Sequence, residues 1–264
     1  KLVDNFINKR IAGTSDITQA YGFDPEMDNL EEQFHFKKYD KSFALFPNVL
    51  WDASLARVDK CFDSVYHWID YTIDYFKENP KSLLLIKIHP GERTHQKSLA
   101  TSKEYILENH KLTDNIKIID TDTKISPYAL SNHIDAGLLY NGTLGLEMAI
   151  MGKVAIVAGY APYHGQKISF DIDSIDQYRK YLDDPPKKVE QFRMENGKLF
   201  AFFYFVASRV PITYTKRKNR FTITYNIDKF EDLLEKEEIK FAVEYILGKR
   251  VWRDSKDKLK DISL

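Results

Sequence analysis

The chain has 264 residues, of which 43% are hydrophobic, a length and composition that allow a sizeable buried core. Its 39 basic and 39 acidic side chains cancel, so no long-range positive field attracts nucleic acid, and we expect no nucleic-acid partner. The single cysteine, Cys61, excludes an internal disulfide and a metal site made of cysteines alone. The longest apolar run, residues 199–207, has nine residues where roughly 18 are needed to cross a bilayer, so we expect no transmembrane segment.

The first 41 residues are polar and contain Gly13, Gly22 and Pro25, with no sustained apolar period. They begin with a lysine and show no charged-then-apolar leader sequence. We expect residues 1–41 to be a lead-in segment, the remnant of an N-terminal acceptor domain that is not part of the sequence.

From residue 42 onward, short apolar runs alternate with amphipathic stretches, a pattern typical of strand-helix units around a parallel sheet. The runs are too short for helices and lack strict alternation, as expected for strands that are covered on both faces. They lie at residues 43–50, 82–88, 116–119, 136–140 and 154–158. Helices are predicted between them at residues 64–77, 102–109, 127–132 and 143–151. The sequence therefore predicts an α/β fold for residues 42–184, with a Rossmann-like doubly wound parallel sheet.

The alternation of strands and helices stops at Pro185 and Pro186, and residues 185–264 are predicted to form a helical extension with a hairpin. Within it, a long aromatic-rich helix is predicted at residues 189–209 and a helix of mixed charge at residues 229–247. Two β-prone runs within residues 212–225 flank the basic stretch 216–219. They indicate a β-hairpin whose tip is most simply a solvated turn.

The segment after the second apolar run is a candidate for a site, because ligands of an open parallel sheet bind at the carboxyl ends of its strands. It reads His89-Pro90-Gly91-Glu92-Arg93. Pro90 holds His89 extended, which directs the imidazole out of the sheet end, where one ring nitrogen can donate to a phosphate or a base. Arg93 is a candidate phosphate partner, although a solvated surface arginine is the simpler interpretation.

The segment after the fourth run is the second candidate, and it reads Asn141-Gly142-Thr143-Leu144-Gly145-Leu146-Glu147. Its small residues allow a ligand to approach the strand-to-helix turn, where the amides of the helix start attract phosphate. Thr143 can cap the helix or donate its hydroxyl to a phosphate, and Glu147 can accept hydrogen bonds from a ribose. An ordinary capped helix explains the same residues equally well.

A third loop, residues 159–166, follows the fifth run and contains Tyr163 and His164. Its turn formers and aromatic side chains can cover a nucleotide or a sugar, and they can equally form a rigid connector. The first run leads to Asn48 and Asp52, for which a structural role is the simpler interpretation.

The sequence resembles the C-terminal domain of glycosyltransferases with the GT-B fold, which are built from two Rossmann domains. More specifically, it resembles the capsule polysaccharide biosynthesis family that includes β-Kdo transferases. The resemblance rests on residues 86–92 (IKIHPGE), residues 141–147 (NGTLGLE) and residues 151–153 (MGK), and it covers residues 43–182. In bacterial sialyl- and Kdo-type transferases a His-Pro motif and a Ser/Thr-bearing turn hold the CMP part of a CMP-activated sugar. The resemblance therefore places His89 and Thr143 on the nucleotide.

These patterns together predict a nucleotide-sugar site in which His89 is also the catalytic residue. Its predicted members are His89, Pro90, Glu92, Arg93, Asn141, Gly142, Thr143, Gly145, Glu147, Tyr163 and His164. No metal is expected, because no Asp-X-Asp pair of the kind that binds a metal follows a predicted strand. No cofactor is expected, because the nucleotide-sugar is the donor substrate. The segment Asp120-Thr121-Asp122 has that spacing, and we interpret it as a turn.

The resemblance implies a glycosyltransferase of surface polysaccharide synthesis that takes its sugar from a nucleotide-sugar, with a CMP-sugar favoured. The implied acceptor is a saccharide or a lipid-linked saccharide. Two alternatives stay open: a nucleotide-sugar 2-epimerase of similar architecture, and a non-catalytic module that binds a nucleotide or a sugar phosphate. The expected location is the cytoplasm, with peripheral attachment of the parent protein to the inner face of the membrane as an alternative.

Overall fold

A computed structural model describes residues 1–15, 29–50, 59–94, 101–207, 214–217 and 222–249. Asp52 lies outside these ranges. The chain divides into a sheet unit, Ile7–Lys198, and a terminal unit made of Lys1–Phe6 and Leu199–Leu264. The domain boundaries predicted at residues 41 and 184 stay predictions.

The sheet unit contains six parallel strands in the order β3-β2-β1-β4-β5-β6. The strands are β1 (Lys41–Phe46), β2 (Ser82–Lys87), β3 (Ile116–Ile119), β4 (Ala136–Leu139), β5 (Ala155–Val157) and β6 (Phe170–Asp171). Every residue of β2, β4 and β5 is buried, as expected for strands with helices on both faces. The predicted Rossmann-like doubly wound sheet is confirmed, and β6 is a strand that the sequence pattern did not predict.

Helices connect the strands and precede the sheet. They are α1 (Leu2–Ile11), α2 (Leu30–Phe34), a 3-10 turn (Phe36–Lys38), α3 (Val65–Glu78), α4 (Gly91–Thr94), α5 (Ser102–Asn109), α6 (Pro127–Leu130), α7 (Leu144–Ile150), α8 (Ile175–Asp183) and α9 (Gln191–Ala201). Local chemistry explains where several begin. The hydroxyl of Ser64 accepts a hydrogen bond from the His67 N–H at the start of α3, and Thr101 forms a capping box with Glu104 at the start of α5. In residues 1–15 and 29–41, the described parts of the lead-in segment, the chain forms α1, α2 and the 3-10 turn.

The core packs one side of α3 against the sheet and against α8. Trp68, Ile69 and Phe76 of α3 are fully buried at helical spacing. The indole N–H of Trp68 donates to the Tyr178 hydroxyl of α8 over 3.0 Å, and the Thr72 hydroxyl lies 2.9 Å from the same oxygen. These bonds satisfy polar groups that would otherwise be costly to bury, and they fix α8 beside α3.

The described residues of the terminal unit include a hairpin and, after it, two short helices. β7 (Thr215–Arg217) pairs antiparallel with β8 (Ile223–Tyr225), which confirms the predicted hairpin. Instead of the single helix predicted at residues 189–209, α9 is followed by a π-helical stretch, Phe202–Ala207. The helix predicted at residues 229–247 is divided into α10 (Phe230–Leu234) and α11 (Glu237–Ile246). Within the described ranges, no helix combines the length and the hydropathy that crossing a membrane requires.

Candidate functional site

The order of the strands identifies a crevice. Because β1 is flanked by β2 and β4, whose helical connections lead away in opposite directions, the carboxyl ends of β1 and β4 form the switch point at which doubly wound sheets bind ligands. Leu45 pairs with Ile86 and Phe46 with Leu139. Continuing this register by a few residues places Asn48 level with His89 on one side and with Asn141 on the other. Adjacent strands are about 4.8 Å apart, so the two predicted motifs lie about 10 Å from each other across β1.

His89 follows β2 and is fixed by its own turn. Its Nδ1 accepts a hydrogen bond from the Gly91 N–H over 3.0 Å, and its carbonyl accepts from the Glu92 N–H over 2.9 Å. A Cβ at position 91 would lie 2.8 Å from Nδ1, so a residue with a side chain there would displace the ring. Because Nδ1 is an acceptor, the proton of the neutral imidazole is on Nε2, which is the nitrogen that can donate to a ligand.

The loop after β1 forms a hydrogen bond with the Asn141 motif and lies close to the His89 motif. The side-chain oxygen of Asn48 accepts from the Asn141 N–H over 3.3 Å, and a Cβ at Gly91 would lie 3.3 Å from Val49 Cγ2. Asn141 in turn accepts from the Gly142 N–H through its own side-chain oxygen over 2.7 Å. Gly142 has φ of 100°, a backbone conformation that residues with a Cβ rarely adopt. The three loops therefore form one connected rim.

Thr143 and Glu147 face the protein interior more than the sequence predicted. Thr143 precedes α7 without a side-chain capping bond, and its hydroxyl interacts with the carboxylate of Glu147. Glu147 is 1% exposed, forms an ion pair with Arg10 and accepts a 2.6 Å bond from the Tyr128 hydroxyl. Burial raises the pKa of Glu147, while the Arg10 charge opposes the shift. Contact of Glu147 with a ribose stays a prediction, since both carboxylate oxygens already have protein partners.

Tyr163, in the loop after β5, packs against Gly145 and forms a hydrogen bond with the turn that contains Asn141 and Gly142. Tyr163 is buried, and its hydroxyl donates to the Gly142 carbonyl over 3.0 Å. A Cβ at Gly145 would lie 2.4 Å from that hydroxyl and 3.3 Å from Val157 Cγ2. Gly145 is thus required for close packing of α7 on Tyr163, and neither residue needs a ligand to explain its place.

We expect Gly145→Ala to lower the free energy of unfolding by about 1 to 3 kcal/mol, because the added methyl group overlaps the Tyr163 hydroxyl. Tyr163→Phe removes the overlapping atom and should recover a large part of this loss in the double variant. Urea unfolding of the wild type, both single variants and the double variant measures the coupling. Strictly additive losses would show that the close contact is not the cause.

His164, which follows Tyr163, forms a cluster with residues that the sequence analysis did not select. Its Nε2 lies 3.1 Å from the Lys60 ammonium, and its Nδ1 lies 3.6 Å from the Asp171 carboxylate. Lys60 also forms an ion pair with Asp173. Lys60 and His164 are separated by 104 positions along the chain, so no motif could have revealed the contact.

The other predicted members of the His89 segment differ in their surroundings. Pro90 is buried, and Glu92, 4% exposed, accepts bonds from the Ser102 N–H over 3.1 Å and from the Ser102 hydroxyl over 3.0 Å. Burial raises the pKa of Glu92 to about 7, although the bonds from Ser102 act in the opposite direction. Glu92 therefore anchors the start of α5. Arg93 belongs to α4, and its side chain lies outside the described part of the structure.

Asp120 accepts from the Thr121 N–H over 2.6 Å and pairs with Lys103, as the interpretation of this segment as a turn predicts. In the parts of the chain with described coordinates, no three His, Cys, Asp or Glu side chains are grouped to hold a metal ion. Metal independence stays a prediction.

The fold and the rim together define an α/β protein of the Rossmann type with a candidate ligand site at the switch point of its sheet. A family model described as "Capsule polysaccharide biosynthesis protein" matches residues 8–205. The chain therefore belongs to the capsule polysaccharide biosynthesis family. A comparison with curated proteins gives no significant match.

The chain is also similar to several solved structures. The KpsC β-Kdo 2,4 transferase of Thermosulfurimonas dismutans is 17% identical with a TM-score of 0.43, and the match covers 74% of this chain and 54% of that one. The KpsC β-Kdo 2,7 transferase of the same organism is 16% identical with a TM-score of 0.38, covering 73% and 57%. Sucrose-phosphate synthase from Thermosynechococcus elongatus is 10% identical with a TM-score of 0.45, covering 68% and 45%. The chain thus spans about half the length of these proteins.

Proposed function

We propose that the chain binds a nucleotide-activated sugar and is the donor half of a GT-B glycosyltransferase of surface or capsular polysaccharide synthesis. The proposed donor is a CMP-sugar, the proposed acceptor is a free or lipid-linked saccharide, and the proposed location is the cytoplasm. Membership of the capsule polysaccharide biosynthesis family supports the assignment to this biosynthesis. The observation that supports the proposal is the register of β1 with β2 and β4, which, continued beyond the strand ends, is consistent with His89 and Asn141 lying level with Asn48 at the switch point.

The chemistry proposed for His89 is electrostatic. When the bond between the sugar and the donor phosphate breaks, negative charge increases on the phosphate. Nε2–H of His89, with the ring held by Gly91, donates to a phosphate oxygen and stabilises this charge more strongly in the transition state than in the bound donor. Because Gly91 fixes the ring before the donor arrives, little reorganisation accompanies the reaction.

The proposal is tested by thermal unfolding in the presence of CMP, CDP, UDP and GDP. A ligand that binds only the native state at 100 times its Kd raises the free energy of unfolding by about 2.7 kcal/mol. We expect the cytidine nucleotides to give the largest increase in Tm. UDP is the matched control for CDP, since the two share the diphosphate and differ in the base. If none of the four raises Tm, the chain does not bind a donor nucleotide.

A further inference from the structure

Lys60 lies in the connection between β1 and α3, close to the candidate rim. Its neighbour Asp59 accepts a 2.5 Å bond from the hydroxyl of Tyr140, the residue that directly precedes the Asn141 turn. The next residue, Cys61, lies with its sulfur 4.0 Å from the Ala158 carbonyl at the end of β5. Residues 59–61 therefore lie at the carboxyl ends of β4 and β5. Lys60 is thus on the β5 side of the rim, whereas His89 follows β2 on the other side of β1.

The contact with His164 fixes the histidine tautomer. A lysine ammonium has donors alone, so Nε2 of His164 must accept from Lys60 and the ring proton must be on Nδ1. Nδ1 is buried and faces Asp171 over 3.6 Å. Asp171 is itself held by the Gly165 N–H over 2.9 Å and by the Ser169 hydroxyl. His164 thus accepts a hydrogen bond from Lys60 on the side of the ammonium that faces the protein, and this contact positions the ammonium.

On the side that faces solvent, the Lys60 ammonium has a weak partner. Its other contact is Asp173, whose side chain is 78% exposed, and an ion pair of this kind contributes little because water competes for both charges. An ammonium group has three N–H donors, and His164 and Asp173 account for two of them among the described residues. An anion at the rim can therefore bind the third donor or replace Asp173.

A cation beside the Asn141 turn would add to the binding of a phosphate, because two amides of this turn are not available to a ligand. The Asn141 N–H is donated to Asn48 and the Gly142 N–H to Asn141, so these two amides are already used inside the protein. The hydroxyl of Tyr163, which directly precedes His164, is bonded to the Gly142 carbonyl over 3.0 Å. The buried side chain of Tyr163 therefore connects the segment that contains His164, the partner of Lys60, to the Asn141 turn.

We propose that Lys60 is a phosphate-binding residue of the donor site and that His164 is the residue that positions it. The proposal rests on the proposed function and adds to it a cation that the motifs do not contain. His164, which the sequence analysis predicted to contact the nucleotide, then acts through Lys60.

The test is calorimetric titration of the wild type and of Lys60→Gln with CMP and with cytidine, which lacks the phosphate. We expect Lys60→Gln to weaken CMP binding about tenfold or more, because a charge-assisted bond is lost, and to leave cytidine binding unchanged. Asp173→Asn should act in the opposite direction and tighten CMP binding about two- to fivefold, because it removes the competing carboxylate.

The role of His164 is tested by the choice of replacement. Gln at position 164 keeps an acceptor for the Lys60 ammonium, so His164→Gln should retain most of the CMP affinity. His164→Leu should lose as much as Lys60→Gln, and it should lose nothing further when the two changes are combined. If His164 serves only to stabilise the fold, His164→Leu should lower CMP affinity by the same factor in the wild type and in Lys60→Gln.

The chain contains a matched control in Lys77, in the last turn of α3. The Lys77 ammonium lies 3.0 Å from Nδ1 of His110 and 2.9 Å from the Asp74 carboxylate, so its surroundings repeat those of Lys60. Lys60 precedes α3 and Lys77 lies in its last turn, and this 14-residue helix is about 20 Å long. Lys77→Gln should therefore leave CMP affinity unchanged.

Three outcomes contradict the inference. Equal CMP affinity of Lys60→Gln and the wild type refutes the role of Lys60 while the proposed function stands. An equal loss for cytidine shows that the defect is not in a phosphate contact. If the wild type binds none of CMP, CDP, UDP and GDP, the proposed function fails and the inference fails with it.

Discussion

Replacement of Arg10 by methionine is expected to lower the free energy of unfolding by about 3 to 5 kcal/mol, because it leaves the Glu147 carboxylate buried without a counter-charge. Domains of this kind have a total stability of about 5 to 15 kcal/mol, so the loss is a large fraction of it. Urea unfolding at pH 8 measures the effect. Arg10 and Glu147 are both nearly inaccessible, which distinguishes this pair from ordinary surface ion pairs.

The pH dependence identifies the cause of the loss. In Arg10→Met, the Arg10 charge no longer opposes the burial that raises the pKa of Glu147, and only the hydrogen bonds from Tyr128 and Thr143 still lower it. The folded variant therefore binds a proton more readily than its unfolded chain does. A group with a raised folded pKa stabilises the fold at low pH, and this stabilisation is lost as pH rises through the folded pKa. The deficit of the variant relative to the wild type should therefore be smaller at pH 5 than at pH 8.

Two further variants control this prediction. Lys103→Met breaks the more exposed pair with Asp120 and should cost less than about 1 kcal/mol. The double variant Arg10→Met with Glu147→Gln removes both charges and should recover much of the stability. If Arg10→Met is as stable as Lys103→Met, the ion pair between Arg10 and Glu147 does not offset the free-energy cost of burying the Glu147 carboxylate.

Replacement of His89 by alanine is expected to slow sugar transfer by the intact protein about 10²- to 10³-fold, the size of effect that the loss of one fixed donor to a developing charge produces. The wild-type ring is held by the Gly91 N–H, so its Nε2–H is fixed before the donor binds. Transfer rates at saturating donor and the free energy of unfolding should be measured on the same samples.

Replacement by amide side chains distinguishes the roles of the two ring nitrogens of His89. His89→Asn preserves an acceptor for the Gly91 N–H and lacks the reach of Nε2, so it should be as slow as His89→Ala. His89→Gln places an amide near the position of Nε2 and should retain part of the rate. His67→Ala removes a half-exposed histidine of α3 and serves as the control. Full activity of a folded His89→Ala protein would exclude the proposed role.

The sheet was predictable because its strands are continuous apolar runs. The run at residues 116–119 became β3 with the predicted bounds, and four others lie within one to four residues of the observed ends. β6 has two residues, Phe170–Asp171, too few to produce any period, and it exists because Phe170 pairs with Ile156. Predicting β6 would have required knowing that residues 170–171 lie beside β5 in the folded chain.

The candidate site was predictable in its location more than in its contacts. His89 and Asn141 follow strands, and the general rule for parallel sheets places such residues at one edge. The partners of Glu147, Glu92 and His164 are side chains that come close only after folding: Arg10 is 137 positions from Glu147. From sequence alone, a glutamate one turn into a helix can be predicted to bind a ligand. Only the folded structure shows whether other side chains already occupy its carboxylate.

The first helix also determines how this fold can be divided. By pattern alone, the repeating strand-helix units begin at residue 42, and a fragment cut there would include the sheet except for Lys41, the first residue of β1. Such a fragment would lack α1 and with it the guanidinium that neutralises the buried Glu147 carboxylate of α7. A shortened chain designed to keep this buried charge neutralised should therefore begin before residue 10.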